Sequence, residues 1–425
     1  MVNPKKYVAA SICITLLFFQ NSYGQNIDYA RQIIDTLTSS HFGGRGAVNG
    51  GEKKAADFIV KQYKRMGLTP IGDDFFQPFN YSINTFPGEL SVEVDGKILH
   101  AGTDYLVLPQ SCKIQGEFQL IWYSESNIPT KKELKKLANR RFFENKFVVV
   151  DDLNSTTKKE EFETLKLNTV GASGIVLLEE TKLTHRISTK LTDYVTLLVM
   201  RTALNSFSKT ISVKIDQEFL PTYTSQNVIG KVTGVEYPDS IVVISAHYDH
   251  LGRMGKDVYF PGANDNASGV AMLLNLAYHY THKDPPKKTM VFMAFGAEES
   301  GLVGSKYFTE NPLFPLQHIN FLINLDLMGT GIEGVQVVNG SVFQSQFDKL
   351  VEINEQEHYL PQIKTRGKAA NSDHYWFSEK GVPAFFIYTL GGITAYHDVF
   401  DKSETLPLTK FEDCFRLIKD FVDDF

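Results

Sequence analysis

Five short polar segments, each following an apolar run, hold the side chains best suited to chemistry: Ala246-His247-Tyr248-Asp249, Gly262-Ala263-Asn264-Asp265-Asn266, Gly296-Ala297-Glu298-Glu299-Ser300, Asn324-Leu325-Asp326 and Tyr396-His397-Asp398. They offer imidazoles and several carboxylates from separate elements. That donor set suits two divalent cations, with one glutamate left over as a base.

His247 and Asp249 stand two apart at a strand end, so a period of two points both to one face. A ligating imidazole needs its second nitrogen held, and Asp249 is placed to orient His247. Asp265 precedes a helix, where an Asp is most often a cap. Its glycine-flanked surroundings let the backbone come close, and its two oxygens suit a carboxylate bridging two cations. Glu298 and Glu299 split two roles: Glu299 as ligand, Glu298 taking a proton from water and passing it to the leaving group. Asp326 and His397 complete the ligands. Imidazole and carboxylate without cysteine suit catalytic zinc, although manganese and cobalt take the same donors. Tyr396 is placed to donate to a developing oxyanion. A lone histidine is more often structural, and His250, His279, His282 and His374 read that way. Ser372-Asp373-His374 reads as a capped helix start lining the cleft.

These residues need a scaffold. The runs at 241–244, 290–293, 321–324 and 384–387 are continuously apolar, as strands buried on both faces are. Helical spacing over 268–282, 302–308, 342–359, 372–380 and 409–422 interleaves with them. The expected fold is α/β, a mostly parallel sheet flanked by helices, with the site outside the carboxyl ends of the strands. Helices are also expected at 27–38 and 53–66, with a flexible turn at Gly43-Gly44-Arg45-Gly46 between them. Residues 88–215 read differently, as alternating strands between Lys-rich segments. They are expected to form an inserted smaller β-rich domain, within a catalytic domain built from 25–87 and 216–425. The basic stretch 131–141 reads as an amphipathic helix with a solvated face.

The 425 residues carry a formal net charge of −6, which gives no basic field for nucleic acid. Lys5 and Lys6 precede an apolar stretch, and Ser22-Tyr23-Gly24 supplies the small residues of a cleavage site. Residues 1–24 therefore read as a signal peptide, and the mature chain as secreted or periplasmic with no integral membrane segment. Acylation at Cys13 is the less favoured variant. With Cys13 removed, Cys112 and Cys414 make no disulfide framework.

Taken together, Ser245-Ala-His-Tyr-Asp-His-Leu-Gly252, the 262–270 and 294–302 segments, Asn324-Leu-Asp326, Ser372-Asp-His374 and Tyr396-His-Asp398 resemble the co-catalytic zinc aminopeptidase and glutamate carboxypeptidase-like metallopeptidases. That family also includes glutaminyl cyclases. The resemblance covers 222–425 and the helical start near 27–80. It implies two zinc ions per chain: one on His247 and Asp326, one on Glu299 and His397, with Asp265 bridging and Glu298 as base. It also likens 88–215 to a protease-associated domain. The expected activity is that of an exported di-zinc exopeptidase acting on peptides, first an aminopeptidase, because an acidic site favours the free N-terminal amine. A glutaminyl cyclase-like aminoacyltransferase, or a carboxypeptidase or dipeptidase anchored by Arg366, is the alternative; a non-enzymatic binding module would lack ligands.

Overall fold

The computed structural model describes residues 27–283 and 285–425, so the signal-peptide reading of 1–24 lies outside the described residues. Two sheets organise the described chain. The first has nine strands. At its centre Tyr237–His247 runs parallel to Lys288–Phe295 on one side and to Ile319–Leu325 on the other, and Ala384–Thr389 continues the parallel run. The expected parallel character ends there. Val335–Val338 joins Ala384–Thr389 antiparallel, and Glu218–Val232 joins Lys288–Phe295 antiparallel. The sheet is therefore mixed: crossover helices impose parallel pairing on the central strands and on the edge pair Val335–Val338 with Ile363–Arg366.

Alternation along the central strands divides the core in two. Val242, Ile244 and Ala246 face one cluster, with Ile33, Ile59, Leu273 and Phe421. Ile241 and Val243 face the other, with Phe308 and Phe377. The helix Gly269–His282 is apolar on nearly all sides and buries eleven of its residues, as a helix packed into the layer rather than over it must. Phe411–Asp423 is the contrasting case, with a single buried stripe of Phe411, Cys414, Phe415, Ile418 and Phe421 at i, i+3 and i+4 spacing.

The chain leaves the first sheet along Phe76–Thr85 and returns along Glu218–Val232, and these two strands pair antiparallel. Between them it builds an eight-stranded sheet whose strands run from Leu90–Val94 to Thr210–Ile215. Two helices, Lys131–Asn139 and Lys159–Lys166, cover one face of it through Leu134, Phe162 and Leu165. On Lys131–Asn139 only Leu134 is fully buried and the lysines face solvent; Thr130 and Glu133 form a capping box at its start. The second sheet also reaches back: Leu251, Met254 and Phe260, from the loop after His250, lie in its core with Val107, Leu197 and Ile211. Cys112 and Cys414 are both free thiols.

Candidate functional site

Four of the five expected site segments follow the carboxyl ends of central strands of the first sheet. His247 is the last residue of Tyr237–His247, and Asp326 directly follows Ile319–Leu325. Glu298 and Glu299 occupy the turn after Lys288–Phe295, and His397 the loop after Ala384–Thr389. Asp265 enters from the turn Ala263–Ser268 that begins the buried helix.

These ends converge on Asp265. Its Oδ1 lies 3.4 Å from His247 Nε2 and its Oδ2 3.0 Å from His397 Nε2. His247 Nε2 is also 3.4 Å from Asp326 Oδ2, and His397 Nε2 is 3.2 Å from Glu299 Oε2. One carboxylate thus faces two imidazoles, and each imidazole has a further acid of its own. Both rings are held from behind by carbonyls. His247 Nδ1 donates to Asp249 O at 3.2 Å and His397 Nδ1 to His185 O at 3.2 Å. A carbonyl only accepts, so both Nε2 atoms are left pointing into the cluster.

The site is buried and over-supplied with negative charge. Burial pushes the Glu298 carboxyl well above the usual range, and Asp373, Glu299 and Asp326 add to this against the opposing pull of His247. Burial and its acidic neighbours likewise push Asp373 up to about 7. Burial disfavours charge on the two imidazoles, yet the surrounding acids win: His247 is raised well above its ordinary value and His397 to about 11. Burial would also raise Asp265, but hydrogen bonds from His247 and His397 reverse the sign and hold it far below the carboxylate range. Asp326 Oδ1 and both oxygens of Asp373 are buried without a hydrogen-bond partner. A cluster whose acids crowd two imidazoles and still leave carboxylate oxygens unmet has the chemistry of a cation site. Two donor groups fit: His247, Asp265 and Asp326, and, sharing Asp265, His250 and Glu299, with His397 also within reach of the Asp265 and Glu299 carboxylates.

The second imidazole is where the structure adds a residue that sequence reading set aside. His250 Nδ1 lies 2.7 Å from Glu299 Oε1, and its side chain is fully buried. It is nearer to Glu299 than His397 is, but only 3.9 Å from Asp265 Oδ1, whereas His397 Nε2 meets both carboxylates. His397 Nε2 thus faces both carboxylates, while His250 pairs with Glu299.

Other expectations change in detail. Asp249 does not chiefly orient His247: its carboxylate is 3.7 Å from Nδ1, farther than its own carbonyl. Instead Oδ1 and Oδ2 accept from the backbone N–H of Glu298 and Glu299 at 3.0 and 3.2 Å, which fixes the turn carrying both acids. Asp373 makes no cap to the helix His374–Glu379; it is turned inward. Ser372 joins a side-chain chain instead, accepting from Asn324 at 2.8 Å and donating to Asp326 Oδ2 at 3.4 Å. Tyr396 stacks on His397 with centroids 3.9 Å apart and is 44% exposed, so its ring borders the site from the solvent side. Arg366 sits exposed on the edge strand Ile363–Arg366.

The 43–46 turn is the largest departure. Arg45 is fully buried, and its guanidinium donates to five carbonyls, those of Leu37, Tyr248, Pro261, Gly262 and Asp265. Gly44 makes this possible: a Cβ there would come within 2.4 Å of Gly252 O. The turn is a rigid clamp, not a flexible link. Nearby, Glu52 is buried and accepts from Ser225; burial, with Asp249 adding repulsion, pushes its carboxyl up to about 8.

A mixed α/β fold with acidic residues and histidines gathered at the sheet's carboxyl ends defines a class, and comparison with known proteins shows which proteins share it. Residues 227–422 match the model of peptidase family M28. A 168-residue stretch is 34% identical to aminopeptidase YwaD of Bacillus subtilis (strain 168), covering 37% of this chain and 34% of that one. A 109-residue stretch is 35% identical to a probable zinc metalloprotease of Pyrenophora teres f. teres, covering 25% of this chain and 22% of that one. The chain thus aligns with about a third or less of the length of these relatives. Among solved structures, a zinc aminopeptidase from Bacillus subtilis superposes with a TM-score of 0.68 at 20% identity, over 93% of this chain and 94% of that one. An M28 peptidase precursor from Shewanella amazonensis gives 0.69 at 17% identity, over 93% and 92%. At such identities the likeness is one of fold.

Proposed function

We propose that this protein is an exported zinc-dependent aminopeptidase with two zinc ions per chain. His247 and Asp326 would hold one ion, Glu299 and His397 the other, and Asp265 would bridge them. The observation that carries this reading is the split of the Asp265 carboxylate, one oxygen toward each imidazole. Names such as aminopeptidase and zinc metalloprotease among the relatives agree with it.

Bound zinc would supply Lewis acidity, polarising the scissile carbonyl and lowering the pKa of water toward about 7. The chain's own residues do the rest. Glu298, its carboxyl raised by burial, accepts the proton of the attacking water and returns it to the leaving amine. Asp249 holds the Glu298–Glu299 turn so that base and ligand keep their separation. The Tyr396 hydroxyl is the proposed donor to the tetrahedral oxyanion. The surplus of acids attracts the substrate's ammonium, which favours a free N-terminus over a C-terminal carboxylate. Residues 88–215, which build the second sheet, are proposed as an inserted domain. The pattern of residues 1–24 supports export, and among the described residues no helix is long and apolar enough to cross a membrane.

The test is a panel of peptides with free, N-blocked and C-blocked ends, assayed with zinc, together with Gln-initiated peptides assayed for ammonia. Release of the first residue from free and C-blocked peptides alone is expected. Ammonia release without hydrolysis would instead favour ring closure, and activity restricted to free C-termini a carboxypeptidase.

A further inference from the structure

The segment that builds the second sheet contributes none of the expected ligands, yet its residues 182–185 grip the turn that carries His397. His185 N–H donates to His397 O at 2.9 Å, and His185 O accepts from His397 Nδ1 at 3.2 Å. Lys182 Nζ pairs with Asp398 Oδ2 at 2.8 Å and donates to Thr394 O at 2.9 Å. Asp398, itself buried, shapes the turn by accepting from Phe400 N at 2.8 Å and Tyr396 N at 3.4 Å. His397 needs this support, because its φ of +54° lies in the left-handed region that residues with a Cβ adopt rarely. His185 is anchored in turn. Its ring is 3% exposed and stacks on Phe260 at 4.5 Å and 8°. Phe260 belongs to the core of the second sheet.

We propose that the second-sheet segment is a working part of the cation site, with His185 and Lys182 as positioning residues for His397. The carbonyl of His185 fixes the tautomer, proton on Nδ1, that frees Nε2 toward Asp265 and Glu299. Lys182 holds the Asp398 turn in the register that permits it. The grip acts on one cation position only: His247 and Asp326 are supported by Asp249 O and by Ser372, neither of which belongs to the second-sheet segment. Docking of the second sheet therefore controls occupancy of the position held by Glu299 and His397, and leaves the other alone. This inference rests on the two-cation reading above.

Calorimetric titration of chelator-stripped full-length protein with zinc chloride, with metal content counted after gel filtration, tests it. Wild type is expected to bind two ions. Lys182→Met, at a side chain one-third exposed, should bind one ion as wild type does and the second about tenfold or more weakly. Lys182→Arg, which can still reach Asp398, should restore the second site. Asp398→Asn breaks the same pair without changing shape and should repeat the loss. Thermal unfolding of the stripped variants, matched to stripped wild type, separates a lost orientation from a lost fold. Two unaltered sites in Lys182→Met and Asp398→Asn would overturn the proposal, as would equal weakening of both. A wild type that binds fewer than two ions would overturn the two-cation reading itself, and this inference with it.

Discussion

Arg45 and Asp401 hold the same short turn from opposite sides. Arg45 Nη2 takes the carbonyls of Gly262 and Asp265 at 2.8 and 3.2 Å, while Asp401 takes the N–H groups of Asn264 and Asp265 at 2.8 and 3.0 Å. Asn266 ties the turn to Leu325 O at 2.9 Å, and Ser268 and Asn264 accept from Met328 and Gly329 at 2.8 and 2.9 Å. The Asp265 carboxylate is thereby fixed relative to Asp326 before any ligand binds, which is what preorganisation requires.

Removing either hand should loosen that turn. Arg45→Met leaves five buried carbonyls short of a donor. A destabilisation of about 3–5 kcal/mol is expected, read from urea unfolding midpoints at constant m-value. A loss within a few tenths of a kcal/mol would mean that the carbonyls find other donors.

Glu298→Ala should leave both proposed cation positions intact and lower kcat by about 10²–10⁴-fold, because in the proposed mechanism it removes proton transfer rather than a ligand. Metal content and kcat measured on the same sample check this. Asp265→Ala makes the contrasting prediction: kcat and bound metal fall together.

Glu52 predicts a pH-dependent stability. Its folded pKa of about 8 lies above the ordinary 4.5, so the folded state binds the extra proton between these values. The stability it contributes is full below pH 4.5 and is lost as pH rises through 8, by up to roughly 5 kcal/mol. Glu52→Gln keeps a side-chain oxygen for Ser225 and removes the titration. Its unfolding free energy relative to wild type should therefore climb between pH 5 and 8. A flat difference over that window would show that Glu52 is not the titrating group.

Chelation should destabilise the fold, because the buried acids then face one another without counter-charge. Restoring zinc at about 100 times its Kd should return about 2.7 kcal/mol or more, seen as a rise in melting temperature that grows with free zinc. A melting temperature indifferent to chelator and zinc alike would argue against resident cations.

What the sequence by itself determined is the set of side chains and the sheet ends that present them. Apolar runs mark His247, Glu299 and Asp326 as strand-end residues, and strand ends are where an α/β sheet gathers a site. The helices at 27–38, 53–66 and 268–282 were legible for the same reason: a period read locally needs no partner. Only the tertiary structure decided how those side chains are held. Arg45 reaches four carbonyls more than 200 residues away, and His185 joins His397 through its own backbone N–H and carbonyl; these are groups that residues of any type carry, so no side-chain pattern announces them. His250 was set aside for a related cause, since a lone histidine after a strand acquires meaning only when Glu299 is folded against it. The antiparallel pairings of the first sheet follow the same logic: strand direction is set by where the chain returns, a long-range fact that local hydrophobicity does not encode.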